Sequence, residues 1–522
     1  MERNEFDLIV IGAGINGAGI ARDASLRGLR VALLDKSDLG SGTSSWSTRL
    51  IHGGLRYLEH GELRLVREAL RERETLFHIA PHLVRPLPLL IPLYEGGRRK
   101  PWEIRAGMLG YDALSFGKSL PGHSMLSRES VLQRLPQLNE FKLLGGALYH
   151  DGQVEFAERL VLENVLSAYQ HGAVVRTYAE VTDFIIENHH VVGVKGKDIL
   201  TGEPVEVRGS VTINAAGPWV DRVLDGKSAA RMIGGTKGSH IIVGNFPGAP
   251  ETALYVEART DGRPFFIIPW NNKYLIGTTD KRYEENPDAV VIDDGEIDYL
   301  LAEVNHVIPA AKLTRASILF SYSGVRPLPF TTEGDEESIT RRHFIRDHGV
   351  RLQNLFSIVG GKLTTYRSLA EEAVDHVFGL LKLRSPKCRT HQLLLPGAND
   401  SADLKHTQLS ALSLDHLERV YGGRASEVLQ LVESNTDLLD VFDEETGAIA
   451  AEIVFSFQQE FARSVADCLL RRTMVGFNSK AGIGADERAA KIAQQHLGWS
   501  SERAHDEVTA YRQFVSNKMR KS

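Results

Sequence analysis

Phe6-Asp7-Leu8-Ile9-Val10-Ile11-Gly12-Ala13-Gly14-Ile15-Asn16-Gly17 decides the fold of this 522-residue chain. The six residues before Gly12 read as a buried parallel strand, and those from Ala18 to Arg27 as a helix. A second apolar run, from Arg30 to Leu34, ends on Asp35. Each glycine has a separate task. Gly12 permits the tight turn, Gly14 lets backbone approach a pyrophosphate, and Gly17 lets the helix pack on the strand. Amides at a helix start point at phosphate oxygens, and an acid ending the second strand accepts from a ribose hydroxyl. GxGxxG alone is often only a Gly-rich turn. Strand, helix, second strand and acid in register make a dinucleotide site.

Working outward, the chain shows no second unit of this kind, so a separate nicotinamide site is not expected. Thr43, Ser44 and Ser45 lie in a small hydroxyl-rich loop suited to wrapping a long cofactor. Two later stretches fit the same picture. Residues 211–218 read as a strand entering the small-residue turn Ala215-Ala216-Gly217. Residues 355–364 read as a strand, a Gly360-Gly361 turn and a helix start at Lys362-Leu363-Thr364. A helix N-terminus there would stabilise negative charge on a reduced flavin. FAD is the expected cofactor.

These pieces lie far apart, which implies an α/β fold in three parts. The expected division is a discontinuous FAD-binding Rossmann-like domain (1–80, 145–225 and 325–390), an antiparallel-sheet substrate or cap domain (81–144 and 226–324), and a C-terminal helical domain (391–522). Strand signals separated by Gly, Pro and Asn turns fill 234–330, with a helix at 294–307. Helical patterns at 447–475 and 485–496 mark the tail. A net charge of −6 argues against nucleic acid as a partner. Cys388 and Cys468 show no metal spacing, so no metal is expected. The strand beginning at Phe6 leaves no room for a signal peptide, and no apolar run reaches membrane-spanning length.

The chemistry concentrates where cations and imidazoles sit beside glycine. Arg49-Leu50-Ile51-His52-Gly53-Gly54-Leu55-Arg56-Tyr57 is the most distinctive stretch. Lys237-Gly238-Ser239-His240, Tyr322-Ser323-Gly324-Val325-Arg326-Pro327 and Gly360-Gly361-Lys362-Leu363-Thr364-Thr365-Tyr366-Arg367 have the same character. Guanidinium forks match phosphate oxygens, and lysine supplies a compact charge. Taken singly, each is as well read as a surface arginine or a core histidine. Converging over a flavin, they would suit a small anionic phosphoester.

In order along the chain stand G-A-G-I-N-G-A-G-I-A-R-D-A (12–24), T-S-S-W-S-T-R-L-I-H-G-G-L-R-Y-L-E-H (43–60), N-A-A-G-P-W-V (214–220), K-G-S-H-I-I-V (237–243), I-G-T-T-D (276–280), Y-S-G-V-R-P-L (322–328) and G-G-K-L-T-T-Y-R (360–367). The set resembles the FAD-dependent glycerol-3-phosphate dehydrogenase family, the respiratory, quinone-reducing kind. The resemblance covers about residues 5–390 and extends more loosely to Cys468-Leu469-Leu470-Arg471-Arg472-Thr473. It implies that Gly12, Gly14, Ile15, Asn16, Gly17, Asp35 and Lys36 hold the ADP end of FAD. Thr43, Ser44, Ser45, Arg49, Leu50, Gly53 and Gly54 would pack near the pyrophosphate and flavin. Val181, Ala216 and Gly217 would flank the adenosine, and Gly361, Lys362, Leu363 and Thr364 the ring. Arg56, Tyr57, Arg326, Arg341 and Lys362 would hold sn-glycerol 3-phosphate. His52, His240 and Lys362 are the candidate proton acceptors, with Arg326 also in the catalytic set. Asp35 departs from the Glu of many flavoproteins, which implies a looser ribose contact.

The resemblance further implies a membrane quinone as electron acceptor and a peripheral position on the cytoplasmic, inner leaflet. The apolar stretch 83–94 and the cationic, aromatic stretch 98–111 are the candidate membrane contact; a buried lid over the site is the competing reading. Oligomeric state is not written in the residues, although a homodimer through the C-terminal helices is compatible with them. Three rival functions compete for the same residues. An oxygen-using glycerol-3-phosphate oxidase is expected to carry a mid-chain insertion, and no long polar one is seen. An amine or hydroxy-acid oxidase leaves the phosphate-suited arginines unexplained. A non-catalytic FAD-binding scaffold has no use for His52, Arg56, Arg326 and Lys362.

Overall fold

A computed structural model describes residues 5–59, 61–227, 230–331, 339–399 and 408–519. The expected nucleotide unit forms as β1 (Glu5–Ile11), α1 (Ile15–Leu26) and β2 (Val31–Leu34). β1 pairs in parallel with β2 on one side and with strand Pro204–Asn214 on the other. Leu355–Val359 and Val174–Arg176 extend this parallel sheet at either side. The period-2 alternation of β1 serves two cores. Leu8 and Val10 face the helices, whereas Ile9 and Ile11 face the opposite layer. On the helical side, α1 packs between helices Ala157–Gln170 and Tyr366–Leu381. A methyl group on Gly19 would stand 2.7 Å from the Tyr366 ring, which explains the small residue at that crossing. An antiparallel hairpin, Ala179–Glu187 with His190–Asp198, pairs onto the first half of strand Pro204–Asn214.

Among the described residues the second sheet has ten strands, and Val84–Tyr94 and Leu143–Val154 form its longest pairing. Thr236–Val243 lies between Lys273–Gly277 and Ile318–Arg326, all antiparallel. Ala253–Glu257 runs parallel to Val84–Tyr94, so the sheet is mixed rather than purely antiparallel. Leu50–Ile51 and all of Leu143–Val154 belong to this sheet. Division by sheet therefore falls later than residue 145, because the strand Leu143–Val154 pairs with 84–94 and not with the nucleotide strands. Helix Asp294–Val307 forms as expected and covers one face.

Residues beyond 408 form helices, among them Ala450–Gln459, Ala485–Leu497 and Ser501–Lys518, with one small ribbon, Val441–Asp443 and Ala448–Ile449. Their core is continuous with the second sheet: the rings of Trp270 and Phe477 meet edge to face at 5.4 Å. Buried ion pairs tie this domain to the nucleotide unit. Glu460 accepts from Arg159 at 2.6 and 3.0 Å, and Asp38 receives both Arg471 and Arg472. Burial opposes ionisation of Asp38, but the two guanidiniums outweigh it and hold its pKa below the ordinary value.

The stretch 83–94 is corrected as a membrane candidate: it is a largely buried strand of the second sheet. The following stretch is helix Pro101–Leu114. It buries Ile104, Met108 and Tyr111 and turns Trp102 and Leu109 to solvent, with Phe116 98% exposed just beyond. Arg99 of the basic cluster is spent on an ion pair with Glu257. Among the described residues no helix is long and apolar enough to cross a membrane.

Candidate active site

A cleft of about 700 Å³ runs along the C-terminal ends of the parallel strands, where ligands collect in open α/β sheets. Gly12, Gly14, Ile15, Asn16, Asp35, Lys36, Thr43 and Ser44 line one part of it. Val181, Ala216 and Gly217 line a second part, and Gly361, Lys362 and Leu363 a third. Ser44 Oγ accepts from the Ile15 amide at 3.1 Å and fixes the hydroxyl loop on the helix start. Thr43 Oγ1 donates to the Val325 carbonyl at 2.6 Å, which ties that loop to the second sheet. Asp35 accepts from the Ala13 amide at 2.6 Å and the Ser37 amide at 2.8 Å. Burial pushes its carboxyl up to about 6, against these two amides.

The cleft fits a dinucleotide on local grounds. At Gly12, φ is +99° and a Cβ would lie 2.7 Å from the Ala215 carbonyl oxygen. At Gly14 the only protein atom near an added Cβ is Ser44 Oγ at 3.5 Å, so the space beside it is open. The Trp219 indole N–H, at the cleft wall, is buried without a hydrogen-bond partner among the described residues. An orphaned buried donor costs stability unless a ligand accepts from it.

The second sheet supplies a charged cluster beside the cleft residues Ser323, Gly324 and Val325. Arg326, ending strand Ile318–Arg326, donates to Asp280 at 2.9 Å and to Thr278 Oγ1 at 3.1 Å. Arg341 donates to the other Asp280 oxygen at 3.2 Å. One carboxylate thus holds two guanidiniums side by side. Lys362 Nζ lies 3.5 Å from the centre of the Tyr57 ring. Burial lowers its pKa, opposed by Tyr57 and Glu62. His240, central in Thr236–Val243, is 2% exposed and bonds Thr48 Oγ1 through Nε2 at 3.0 Å. Its Nδ1 has no partner among the described residues. Burial, then Arg326 and Arg49, pushes its pKa well below the ordinary value, which favours the neutral imidazole.

Residues 7–379 match the FAD dependent oxidoreductase family, and 388–504 match the C-terminal domain of alpha-glycerophosphate oxidase. The chain belongs to the family of FAD-dependent glycerol-3-phosphate dehydrogenases. A glycerol-3-phosphate dehydrogenase of Synechocystis is 47% identical over 99% of this chain and 97% of its own length. The mitochondrial glycerol-3-phosphate dehydrogenase of Mesocricetus auratus is 34% identical over 99% of the chain and 74% of the relative. The solved glycerol-3-phosphate dehydrogenase from Bacillus halodurans, complexed with FAD, superposes with a TM-score of 0.81 at 29% identity, over 99% of this chain and 96% of that one.

Not every residue expected at the dehydrogenase site lines the cleft. Gly17 stands behind it, where an added Cβ would lie 1.8 Å from the Gly12 carbonyl oxygen. Ser45 Oγ donates to Gly40 within the loop, and Leu50 lies in the core strand Leu50–Ile51. Arg49 is corrected: its guanidinium is fully buried, paired with Glu158 through two 2.7 Å contacts and stacked near Trp270 and Phe477. A cation enclosed that way cannot turn to a cofactor. Gly53 and Gly54 shape the loop that carries His52. The Gly53 amide donates to the Tyr111 hydroxyl at 2.9 Å, and a Cβ on Gly54 would meet the Tyr57 ring. Thr364 Oγ1 accepts from the His52 amide at 3.1 Å. The side chain of Arg56 lies outside the described residues. Helix Tyr366–Leu381 begins four residues after Lys362, so the lysine stands in the turn before it.

Sequence reasoning missed Asp280 as the carboxylate joining the two arginines, and Thr48 as the partner of His240. It also missed the C-terminal residues Ala466, Arg471, Phe514 and Lys518 in the cleft wall. Arg471 stood in a quoted motif, but nothing in the sequence pointed it at Asp38.

Proposed function

We propose that this dehydrogenase oxidises sn-glycerol 3-phosphate to dihydroxyacetone phosphate and passes the electrons to a membrane quinone. The observation that carries the substrate is the pair Arg326 and Arg341 on Asp280, with Lys362, which lines the cofactor cleft, close enough to feel the Arg341 charge. The carboxylate orients both guanidiniums, whose forks match phosphate oxygens. Bound FAD supplies a two-electron acceptor for the hydride on C2 of the substrate. The protein positions the phosphate, excludes water and takes the hydroxyl proton.

His240 is the proposed proton acceptor. A base must arrive unprotonated, and burial together with Arg326 and Arg49 favours the neutral imidazole. Lys362 and His52 are the alternatives, and pH separates them. His240→Asn is expected to lower kcat by about two to three orders of magnitude with KM little changed. Lys362→Met, removing a phosphate cation, is expected to raise KM and abolish the fall in kcat/KM at high pH, where the amine loses its proton. If His240→Asn keeps its kcat and Lys362→Met or His52→Asn loses it, the base is reassigned.

Quinone as acceptor places the protein at a membrane, on the cytoplasmic face in this reading. Trp102, Leu109 and Phe116 share the outer side of helix Pro101–Leu114 and its end, flanked by exposed Lys100 and Arg105. Apolar side chains beside cations suit the boundary of an anionic leaflet. The variant Trp102/Leu109/Phe116→Ser is expected to stay in the supernatant when sedimented with anionic vesicles, whereas the unaltered chain pellets. Equal pelleting of both removes this surface from the proposal. An oxygen-using enzyme is the second reading, favoured by the oxidase-named C-terminal family model. A stoichiometric yield of peroxide per substrate oxidised would establish it.

A further inference from the structure

Helix Ser501–Lys518 is anchored in the C-terminal domain and ends outside it. Tyr511 is buried and donates to the Ala481 carbonyl at 2.8 Å, while Glu507 accepts from the Val465 amide at 2.8 Å. Arg512 pairs with Asp486 at 2.7 Å. Beyond that anchor the helix crosses to the two other layers. The Phe514 ring stacks near Trp46 of the hydroxyl loop, with centroids 6.4 Å apart and planes at 27°. Lys518 donates to the carbonyls of Asp288 and Val290 in the second sheet's connecting loop. The Asp288 carboxylate in turn accepts from Lys36 at 2.7 Å, and Lys36 lies 4.5 Å from the Trp219 ring centre. The contacts close a ring around the cleft: nucleotide strand end, sheet loop and C-terminal helix.

Phe514 and Lys518 line the same cleft as Gly14, Asp35 and Trp219, together with Arg471. Arg471 is already committed to Asp38 and Asp467. Lys518 is different, since its ammonium meets carbonyl oxygens and no ion pair holds it among the described residues. We infer that the last two turns of the C-terminal helix are part of the FAD site, with Phe514 and Lys518 completing its wall and retaining the cofactor. Phe514 supplies an apolar, aromatic face, and Lys518 a cation beside a ligand whose pyrophosphate carries two negative charges. The fold explains the reach: Asp38, two residues beyond the Lys36 that closes the ring, is where Arg471 and Arg472 dock the whole domain.

The test uses the full-length chain, deflavinated and then titrated with FAD while flavin fluorescence is followed. Phe514→Ala and Lys518→Ala are each expected to weaken FAD by about tenfold, a change of about 1.4 kcal/mol, with the thermal midpoint of the apoprotein unchanged. The Lys518→Ala effect should shrink at high salt, and that of Phe514→Ala should not. Gln513→Ala, on the exposed side of the same turn, is the control and is expected to leave the affinity unaltered. Unaltered FAD affinity in folded Phe514→Ala and Lys518→Ala overturns the inference. So does an equal loss in Gln513→Ala, which would report a loosened helix instead of lost contacts. Neither result touches the assignment of the chain as a flavoenzyme, which rests on the glycine cleft.

Discussion

Arg326→Ala is expected to lower kcat/KM for sn-glycerol 3-phosphate by about two to three orders of magnitude, the usual cost of removing a charge-assisted anion contact. The argument begins at the strand. Ile318–Arg326 pairs with Thr236–Val243 in register, which places Arg326 opposite Thr236 and two residues past Gly324. Gly238 has no side chain there, and a methyl group would stand 2.3 Å from the guanidinium. Asp280 and Thr278 then fix the fork in one orientation. If Arg326 acts on the substrate phosphate, Arg326→Ala also loses inhibition by inorganic phosphate, and Arg326→Lys recovers part of both effects. If it serves only to hold Asp280, phosphate inhibition survives and Asp280→Asn reproduces the loss. Steady-state kinetics with phosphate as inhibitor, at fixed ionic strength, separates the two.

The second large effect distinguishes two glycines of one motif. Gly17→Ala drives a methyl group to 1.8 Å from a backbone oxygen, so α1 must leave β1. α1 carries the packing of two other helices, and the change is expected to cost about 3 kcal/mol or more, the upper end for overpacking, with the flavin lost as a consequence. Gly14→Ala meets only Ser44 Oγ at ordinary contact distance. Its φ of −72° suits alanine. The apoprotein is therefore expected to keep its thermal midpoint within about 0.5 kcal/mol equivalent and still lose FAD affinity by at least about a hundredfold, because the methyl takes the space of the phosphate. Thermal melts of both apoproteins alongside FAD titration decide it. A Gly14→Ala chain that binds FAD normally would place the pyrophosphate elsewhere.

How far the sequence could be read follows from the range of each interaction. β1, α1 and β2 were legible because strand period, glycine spacing and the closing acid all fall within 35 residues. Helix Asp294–Val307 was placed from the sequence, and the structure closes its start with the Asp293 and Glu296 capping pair. Residues 83–94 were left between two readings because an apolar, proline-broken run has the same composition in a membrane contact and in an interior strand. Only the pairing with Leu143–Val154 distinguishes them. Within the site, glycines and motif cations were found where local backbone demands betray them. Arg49 looked like its neighbours yet turns inward to Glu158, 109 residues away. Asp38 with Arg471, and Trp46 with Phe514, are contacts between opposite ends of the chain, and no local pattern encodes them.

The central claim is that this cleft oxidises sn-glycerol 3-phosphate with its own flavin. Anaerobic addition of that substrate to the FAD-loaded protein, followed by flavin absorbance, tests it most directly. The account predicts rapid bleaching of the oxidised band, reversed at once by a soluble quinone and only slowly by oxygen. A fully FAD-loaded protein that stays yellow at saturating substrate would contradict it.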